Sequence, residues 1–384
     1  MTPDSQDTLD GLVTPCLLLD LRRMERNIRR MAENIRGLGS TLRPHVKTHK
    51  CGEIAKRVLA EPGTSGITVS TLQEAEYFFE HGVSDILYAV GIAPNKLARV
   101  AALMDRGCDL SIVLDDPVMA RHVAKTGVQE GRCYRVMIEL DTDGHRSGVD
   151  PAGESLLEIG HILHASAGTE LVGVMAHAGE SYFCDSREAL LTMARQERDR
   201  SVAAAERLRA GGVSCPVVSI GSTPTALASE DLTGVTEVRA GVYVFFDLVM
   251  AGIGVCTQDD IAVSVLTSVI GHQRDKGRVI TDAGWMAMSR DRGTARQGRD
   301  YGYGLVRRRD GSALDTMIVA DANQEHGIVK TMDEGQPLPY EDLRLGTLLR
   351  VLPNHACATA SEFDRYFVVE QERVVAEWER TRGW

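Results

Sequence analysis

No apolar run in this 384-residue chain approaches the length of about 20 residues that spans a bilayer, so the sequence offers no transmembrane helix. Long Lys/Arg runs are also missing. With 43 basic against 54 acidic residues the net charge is -11, which argues against nucleic acid or an anionic membrane as partner and leaves small molecules. The eight cysteines (Cys16, Cys51, Cys108, Cys133, Cys184, Cys215, Cys256, Cys357) form no CxxC pair and no disulfide-like cluster, and they read as reduced core residues. The opening "MTPDSQDTLDGL" is acidic and lacks the apolar centre of a signal peptide, so the expected location is the cytoplasm. Neither a low-complexity segment nor a Pro/Ser-rich linker interrupts the chain.

What is present is an apolar content of 43%, enough for a sizeable core. From residue 40 to 245 short β-branched runs alternate with helical patterns. The runs are "TLRPHVK" (41–47), "GITVS" (66–70), "DILYAV" (85–90), "DLSIVLD" (109–115), "YRVMIELD" (134–141), "LVGVMAHA" (171–178), "PVVSIGS" (216–222) and "TEVRAGVYVF" (236–245). Eight such strands with intervening helices fit a (β/α)8 barrel better than an open doubly wound sheet. Upstream, "TPCLLLD" reads as a strand feeding an amphipathic helix from about Asp20, with Leu21, Met24, Ile28, Met31, Ile35 and Leu38 on one face. Beyond residue 252 the texture becomes strands and turns, ending in pieces such as "TLLRVLPNHACAT" (347–359). The expected organisation is an α/β fold with a barrel over 21–252 and a mainly β domain over 253–384, joined by the N-terminal strand within 1–20.

The stretch "LRPHVKTHK" (42–50) is open to three readings: a basic surface patch, a metal site, or one lysine placed for covalent chemistry. Strand counting puts Lys47 at the C-terminal end of the first barrel strand, where barrels of this kind hold their active sites, and there a lysine is a candidate Schiff-base former rather than a solvated charge. The loops after strands seven and eight, the habitual phosphate site, read "GSTPT" (Gly221, Ser222, Thr223) and "RAGVYV" (Gly241, Val242, Tyr243). Each alone is an ordinary turn; their placement with Lys47 suggests a phosphorylated cofactor. Arg146 in "DTDGHRSGV", and His177 and Tyr182 in "HAGESY", fall at the mouth ends of strands five and six, against the alternatives of a loop arginine and a core histidine. In "PNHACAT", His355 and Cys357 stand at i and i+2. In an extended segment they share a face and could bind one ion, with zinc favoured over magnesium, or be a buried cysteine beside a surface histidine.

Taken together, "RPHVKTHK", "DTDGHRSG", "HAGESY", "GSTPT", "EVRAGVYVF" and the late HxC resemble the D-serine dehydratase and D-threonine aldolase family of fold-type III, alanine-racemase-like pyridoxal 5'-phosphate (PLP) enzymes, over nearly the whole chain. The resemblance implies that Lys47 forms the Schiff base with PLP and Arg146 bonds its phenolic oxygen. Ser222, Thr223, Gly241, Val242 and Tyr243 would lie near the phosphate, with His177 and Tyr182 also at the cofactor. It implies a divalent metal on His355 and Cys357, zinc first, with manganese, magnesium or cobalt as alternatives, and a homodimer. Aldolase members carry His-x-Asp where this chain has Cys357, so dehydration of a 3-hydroxy D-amino acid to a 2-oxo acid and ammonia is expected, with D-threonine aldolase as alternative. An amino-acid racemase and a non-catalytic PLP-binding protein are more distant rivals. D-serine and 3-hydroxy-D-aspartate both remain open as substrate, because Arg290, Arg292, Arg296 and His326 cannot be ranked as partners for a side-chain carboxylate.

Overall fold

The structure, a computed structural model, describes residues 8–144, 146–333 and 336–384, and for Asp315 the backbone alone. Its strands are β1 (Cys16–Asp20), β2 (Thr41–Pro44), β3 (Ile67–Val69), β4 (Asp85–Gly91), β5 (Asp109–Leu114), β6 (Tyr134–Leu140), β7 (Thr169–Ala176), β8 (Val217–Ile220), β9 (Glu237–Ala240), β10 (Val263–Gln273), β11 (Arg278–Thr281), β12 (Leu305–Arg308), β13 (Ala313–Ala322), β14 (Gly327–Thr331), β15 (Leu348–Leu352), β16 (Arg365–Glu370) and β17 (Arg373–Glu379). The helices are α1 (Leu21–Gly37), α2 (Gly52–Leu59), α3 (Leu72–Glu80), α4 (Leu97–Asp105), α5 (Pro117–Glu130), α6 (Glu154–Ala165), α7 (Arg187–Ala210), α8 (Thr223–Ala228), α9 (Leu248–Gly252), α10 (Trp285–Met288) and α11 (Ala356–Ser361).

Two compact units emerge: Arg29–Gly241 with Thr381–Trp384, and the described residues up to Ile28 with Val242–Arg380. These boundaries differ from the expected 21–252 and 253–384. At the front, Asn27 donates to the carbonyl of Asp260, which ties the first turns of α1 to the β unit. At the back, Leu248 and Val249 donate to the carbonyls of Pro353 and Asn354, so the segment around α9 goes with the late strands. Of the expected N-terminal strand region, residues 1–7 lie outside the described residues, and β1 begins at Cys16.

In the first unit all eight expected strands are present and every neighbouring pair is parallel, in the order β2-β9-β8-β7-β6-β5-β4-β3. Bridges from Leu42 to Thr64 and from His45 to Thr68 close the ring between β2 and β3. The helices start where the sequence supplies caps: Thr71 before α3, Asp116 with Pro117 before α5, and Ser186 before α7 each accept a backbone N–H of the first turn. The second unit is a nine-stranded sheet, β11-β14-β13-β12-β15-β10-β1-β16-β17, with β1 antiparallel to β10 and parallel to β16. The apolar run of β1 packs Cys16 and Leu18 with Leu9, Leu266 and Val369.

Three strand readings need correction. β2 stops at Pro44, not at residue 47, because Lys47 already lies in a turn; β9 stops at Ala240 and passes into a 3-10 turn over Val242–Val244. The expected strand over 347–359 ends at Leu352, and its last residues are helix α11. Alanine-rich "ACATA" has the propensity for it once Pro353 has ended the strand. Of the cysteines, Cys16, Cys51, Cys108 and Cys215 are buried and Cys133 is exposed; burial pushes the Cys108 and Cys215 thiols up to about 11 and leaves them unreactive. Among the described residues no helix is long and apolar enough to cross a membrane.

Charges run through the barrel. Arg43 on β2 donates from Nε to Glu237 on β9 at 2.8 Å and forks onto Asp85 of β4 at 2.9 and 3.0 Å. Glu237 accepts Ser219 Oγ at 2.6 Å, and Arg239 donates to Ser219 and to the carbonyl of Ala176. Breaking a buried pair costs far more than an exposed one, since the surviving charge is left uncompensated. Glu237→Gln is therefore expected to destabilise the chain by about 3–5 kcal/mol in urea unfolding, and a loss below about 1 kcal/mol would show that the pair is effectively solvated.

Candidate active site

The barrel mouth is built where β2 ends. His45 donates its backbone N–H to Ala240 at 2.7 Å and Val46 to Thr68 at 2.9 Å, so the chain is gripped by the strands on both sides before it turns. Residues 46–50 close one turn through Lys50 N–H to Val46, with Lys50 in the left-handed region at φ 48°. Lys47, half-buried, lies inside this turn. The other cations and histidines of "LRPHVKTHK" divide in role. His49 is buried, accepts the Cys51 N–H and packs edge-on to Phe78. Lys50 pairs at 3.0 Å with Glu74, which is itself fully buried. His45 faces the mouth: burial, then the charges of Lys47 and Arg239, push its imidazole well below its ordinary value.

The loops after β7 and β8 are held by one carboxylate. Glu197, buried on α7, accepts the backbone N–H of Ala178 at 2.9 Å and of Gly221 at 3.0 Å. His177 lies beside Ala178, and its Nδ1 is 2.9 Å from the carbonyl of Gly221; a carbonyl only accepts, so Nδ1 carries the hydrogen. Burial, then Lys47, lowers the His177 pKa to about 3, and it is neutral at working pH. Tyr182 stands with its ring centroid 6.2 Å from that of His177. Gly221 sits at φ +132°, and a Cβ there would meet the Arg239 carbonyl at 2.3 Å; at Gly241 a Cβ would meet the His45 carbonyl at 2.7 Å. Ser222 caps α8, its hydroxyl accepting the Thr225 N–H and lying 2.8 Å from Ser181 Oγ, with Thr223 next in the helix. Beyond Gly241 the chain passes to the other unit, where Val242 and Tyr243 are buried in the 3-10 turn.

Arg146 is carried by the loop after β6, where Asp141 accepts the N–H groups of Asp143 and Gly144. Its guanidinium, half exposed, is 4.0 Å from Glu139, whose pKa is raised by burial and which also accepts Ser147 Oγ. Within the barrel unit the structure thus brings Lys47, Arg146 and Arg239 within electrostatic reach of His177. Three cations whose charges reach the mouth, two neutral histidines, and two glycines that let backbone come close fit an anionic phosphorylated cofactor such as PLP.

In the β unit, His355 is the N-cap of α11 and Cys357 its second residue. The two are not in an extended segment, and the argument from strand alternation fails. They nonetheless share a side-chain hydrogen bond at the start of the helix. Asp247 clamps this start by accepting the Ala356 N–H at 2.9 Å while also capping α9 through Met250. His355 Nδ1 is 2.6 Å from Asp291 Oδ2. Burial alone would lower the imidazole, but Cys357, Asp291 and Asp247 outweigh it and hold His355 well above its ordinary value. An imidazole and a thiol are donors that suit zinc, and among the described residues no group of three or more His, Cys, Asp or Glu forms a fuller ligand set. Of the four unranked cations, Arg292 is spent on Asp300 at 2.7 Å, and Arg290 stacks 3.8 Å from the Trp285 ring centroid.

The sequence assigns no role to Glu197, Glu139, Asp247 or Asp291, and Arg239 enters only as the first residue of the "RAGVYV" phosphate loop. Glu197, Asp247 and Asp291 act through contacts distant in sequence, such as the 64 residues between Asp291 and His355, whereas Glu139 meets Ser147 only eight residues on, in the loop after its own strand.

Comparison with known proteins agrees with this architecture. The family described as alanine racemase, N-terminal domain, matches residues 19–249, and the serine dehydratase domain matches 262–369. The chain is similar to D-threo-3-hydroxyaspartate dehydratase of Delftia sp., 54% identical over 381 residues, 99% of this chain and 100% of the relative. D-serine dehydratase of Dictyostelium discoideum is 29% identical over 406 residues, 99% and 100% of the two chains. A solved mutant of D-threo-3-hydroxyaspartate dehydratase in the metal-free form superposes with TM-score 0.96 and 53% identity, covering 99% of this chain and 100% of that one.

The low His177 pKa fixes a sign. Unfolded histidine titrates near about 6.5, so between there and about 3 the unfolded chain binds a proton that the folded chain refuses. Stability present above about pH 6.5 is then lost as pH falls, by up to about 1.4 kcal/mol per unit for such a histidine. Urea unfolding of the cofactor-free chain between pH 7 and 5 should show this slope, and His177→Gln should make it shallower; an unchanged slope would mean that His177 is solvated.

Proposed function

We propose, from the premise that the chain belongs to the alanine-racemase-type enzymes carrying a serine dehydratase domain, that it is a PLP- and divalent-metal-dependent lyase. It eliminates water from a 3-hydroxy D-amino acid, D-threo-3-hydroxyaspartate or D-serine, and yields a 2-oxo acid and ammonia. The observation that carries this reading is similarity over the full length of both chains to a dehydratase, together with a cationic barrel mouth around Lys47. That one relative is described in a metal-free form supports the metal.

PLP, when bound, withdraws electrons from the α-carbon. Lys47 would be the residue that holds it, and its Nζ would serve as the base for the α-proton. His45 and His177 are kept neutral, so neither offers a competing acid there; His177 keeps Nδ1–H on Gly221 and presents Nε2 as an acceptor. Ser222, Thr223, Gly221, Gly241, Val242 and Tyr243 would receive the phosphate, the glycines by letting backbone N–H groups approach. Arg146 would donate to the phenolic oxygen and Tyr182 would line the ring. His355 and Cys357 would hold a divalent metal, whose Lewis acidity would assist departure of a β-hydroxyl, a poor leaving group unaided. The chain acts as a homodimer in the cytoplasm.

Ammonia release over D- and L-3-hydroxy amino acids, with and without EDTA, tests the reading. The expected result is turnover of D-substrates that EDTA abolishes; glycine with an aldehyde would instead establish the aldolase, and EDTA-resistant racemisation the racemase. Lys47→Ala should lose both the visible absorbance of bound PLP and turnover, and retention of both would remove Lys47 from its role.

A further inference from the structure

The carboxylate on His355 comes from a turn built at some conformational cost. Ser289, buried and not a glycine, sits at φ +69° directly after α10, a left-handed conformation that side-chain-bearing residues rarely hold. Three contacts hold the turn in place. Ser289 Oγ accepts the N–H of Asp291 at 3.0 Å. Thr359 of α11 donates its hydroxyl to the Met288 carbonyl at 2.9 Å, linking the end of α10 to the helix that carries Cys357. Asp291 Oδ2 then lies 2.6 Å from Nδ1 of His355.

We propose that Asp291 is a positioning residue for metal binding: it accepts the Nδ1 hydrogen of His355, fixes that tautomer and ring orientation, and leaves Nε2 as the lone pair offered to a divalent cation. The inference rests on the reading of His355 as a metal ligand. Neutral imidazole carries one hydrogen, and a carboxylate on Nδ1 decides which nitrogen keeps it. An incidental ion pair is the alternative to exclude, since both side chains are 41% exposed and exposed pairs contribute little. An incidental pair, however, does not require a strained, buried serine to aim it.

The experiment strips the full-length holoenzyme of metal and titrates zinc against a chelator of known affinity. Asp291→Ala is expected to weaken zinc binding by about 10- to 100-fold, and Asp291→Asn, which keeps an accepting oxygen, by less. The cobalt-substituted Asp291→Ala protein should retain its thiolate-to-cobalt absorption, since Cys357 is untouched, while PLP absorbance stays at the parental level. Where Asp291→Ala does not fold, as judged by unfolding of the metal-free chain, Asp291→Ser takes its place, being too short to reach Nδ1. Zinc affinity within twofold of the parent in the folded variant overturns the proposal. Failure of the underlying reading looks different: His355→Ala would then bind zinc as tightly as the parent.

Discussion

The barrel unit depends on a line of charge carried through its interior. Asp85, Arg43, Glu237, Ser219 and Arg239 are joined in sequence, and the last of them ends on the carbonyl of Ala176, the residue before His177. Barrel interiors are ordinarily filled by layers of branched apolar side chains. Here polar layers replace some of them, which is tolerable only because each member has partners. The same Arg239 that bonds the end of β7 also contributes to the potential that keeps His45 and His177 unprotonated. Structure and electrostatics of the mouth therefore share one residue.

A second carboxylate completes the arrangement. Glu197 ties the backbone after β7 to that after β8, with burial raising its own pKa, so one carboxylate links two loops from neighbouring strands. The glycines at the ends of β8 and β9 work in the opposite sense, by leaving out atoms where backbone must come close. Around the mouth, backbone held in place by these contacts therefore stands beside the buried cation Arg239.

Much of this was legible in the sequence. Alternation of β-branched runs with helical patterns identified all eight barrel strands, because a parallel sheet covered on both faces imposes that pattern on every segment. The placement of Lys47 was legible even though β2 ends three residues before it, since barrel geometry tolerates such an error at a strand end. The expectation that His355 and Cys357 share a face rested on a strand alternation that α11 contradicts: Pro353 ends β15, and an alanine-rich segment turns helical where the pattern promised a strand. Cofactor and reaction came from resemblance across several motifs, not from periodicity. Asp291, Asp247 and Glu197 were illegible because their roles exist only once distant segments meet, and an aspartate in "SRDRG" has no local mark that separates it from any other.

One boundary has a further consequence. The division between the two units falls between Gly241 and Val242, inside "RAGVYV" and not in a loop outside it. The polypeptide has no neutral linker at that point: glycine and the two residues after it are consecutive and buried. A barrel unit ending at Gly241 would leave Val242 and Tyr243, the buried residues that follow, with the other unit. Any exchange of one unit for another would have to cut inside this motif, between Gly241 and Val242.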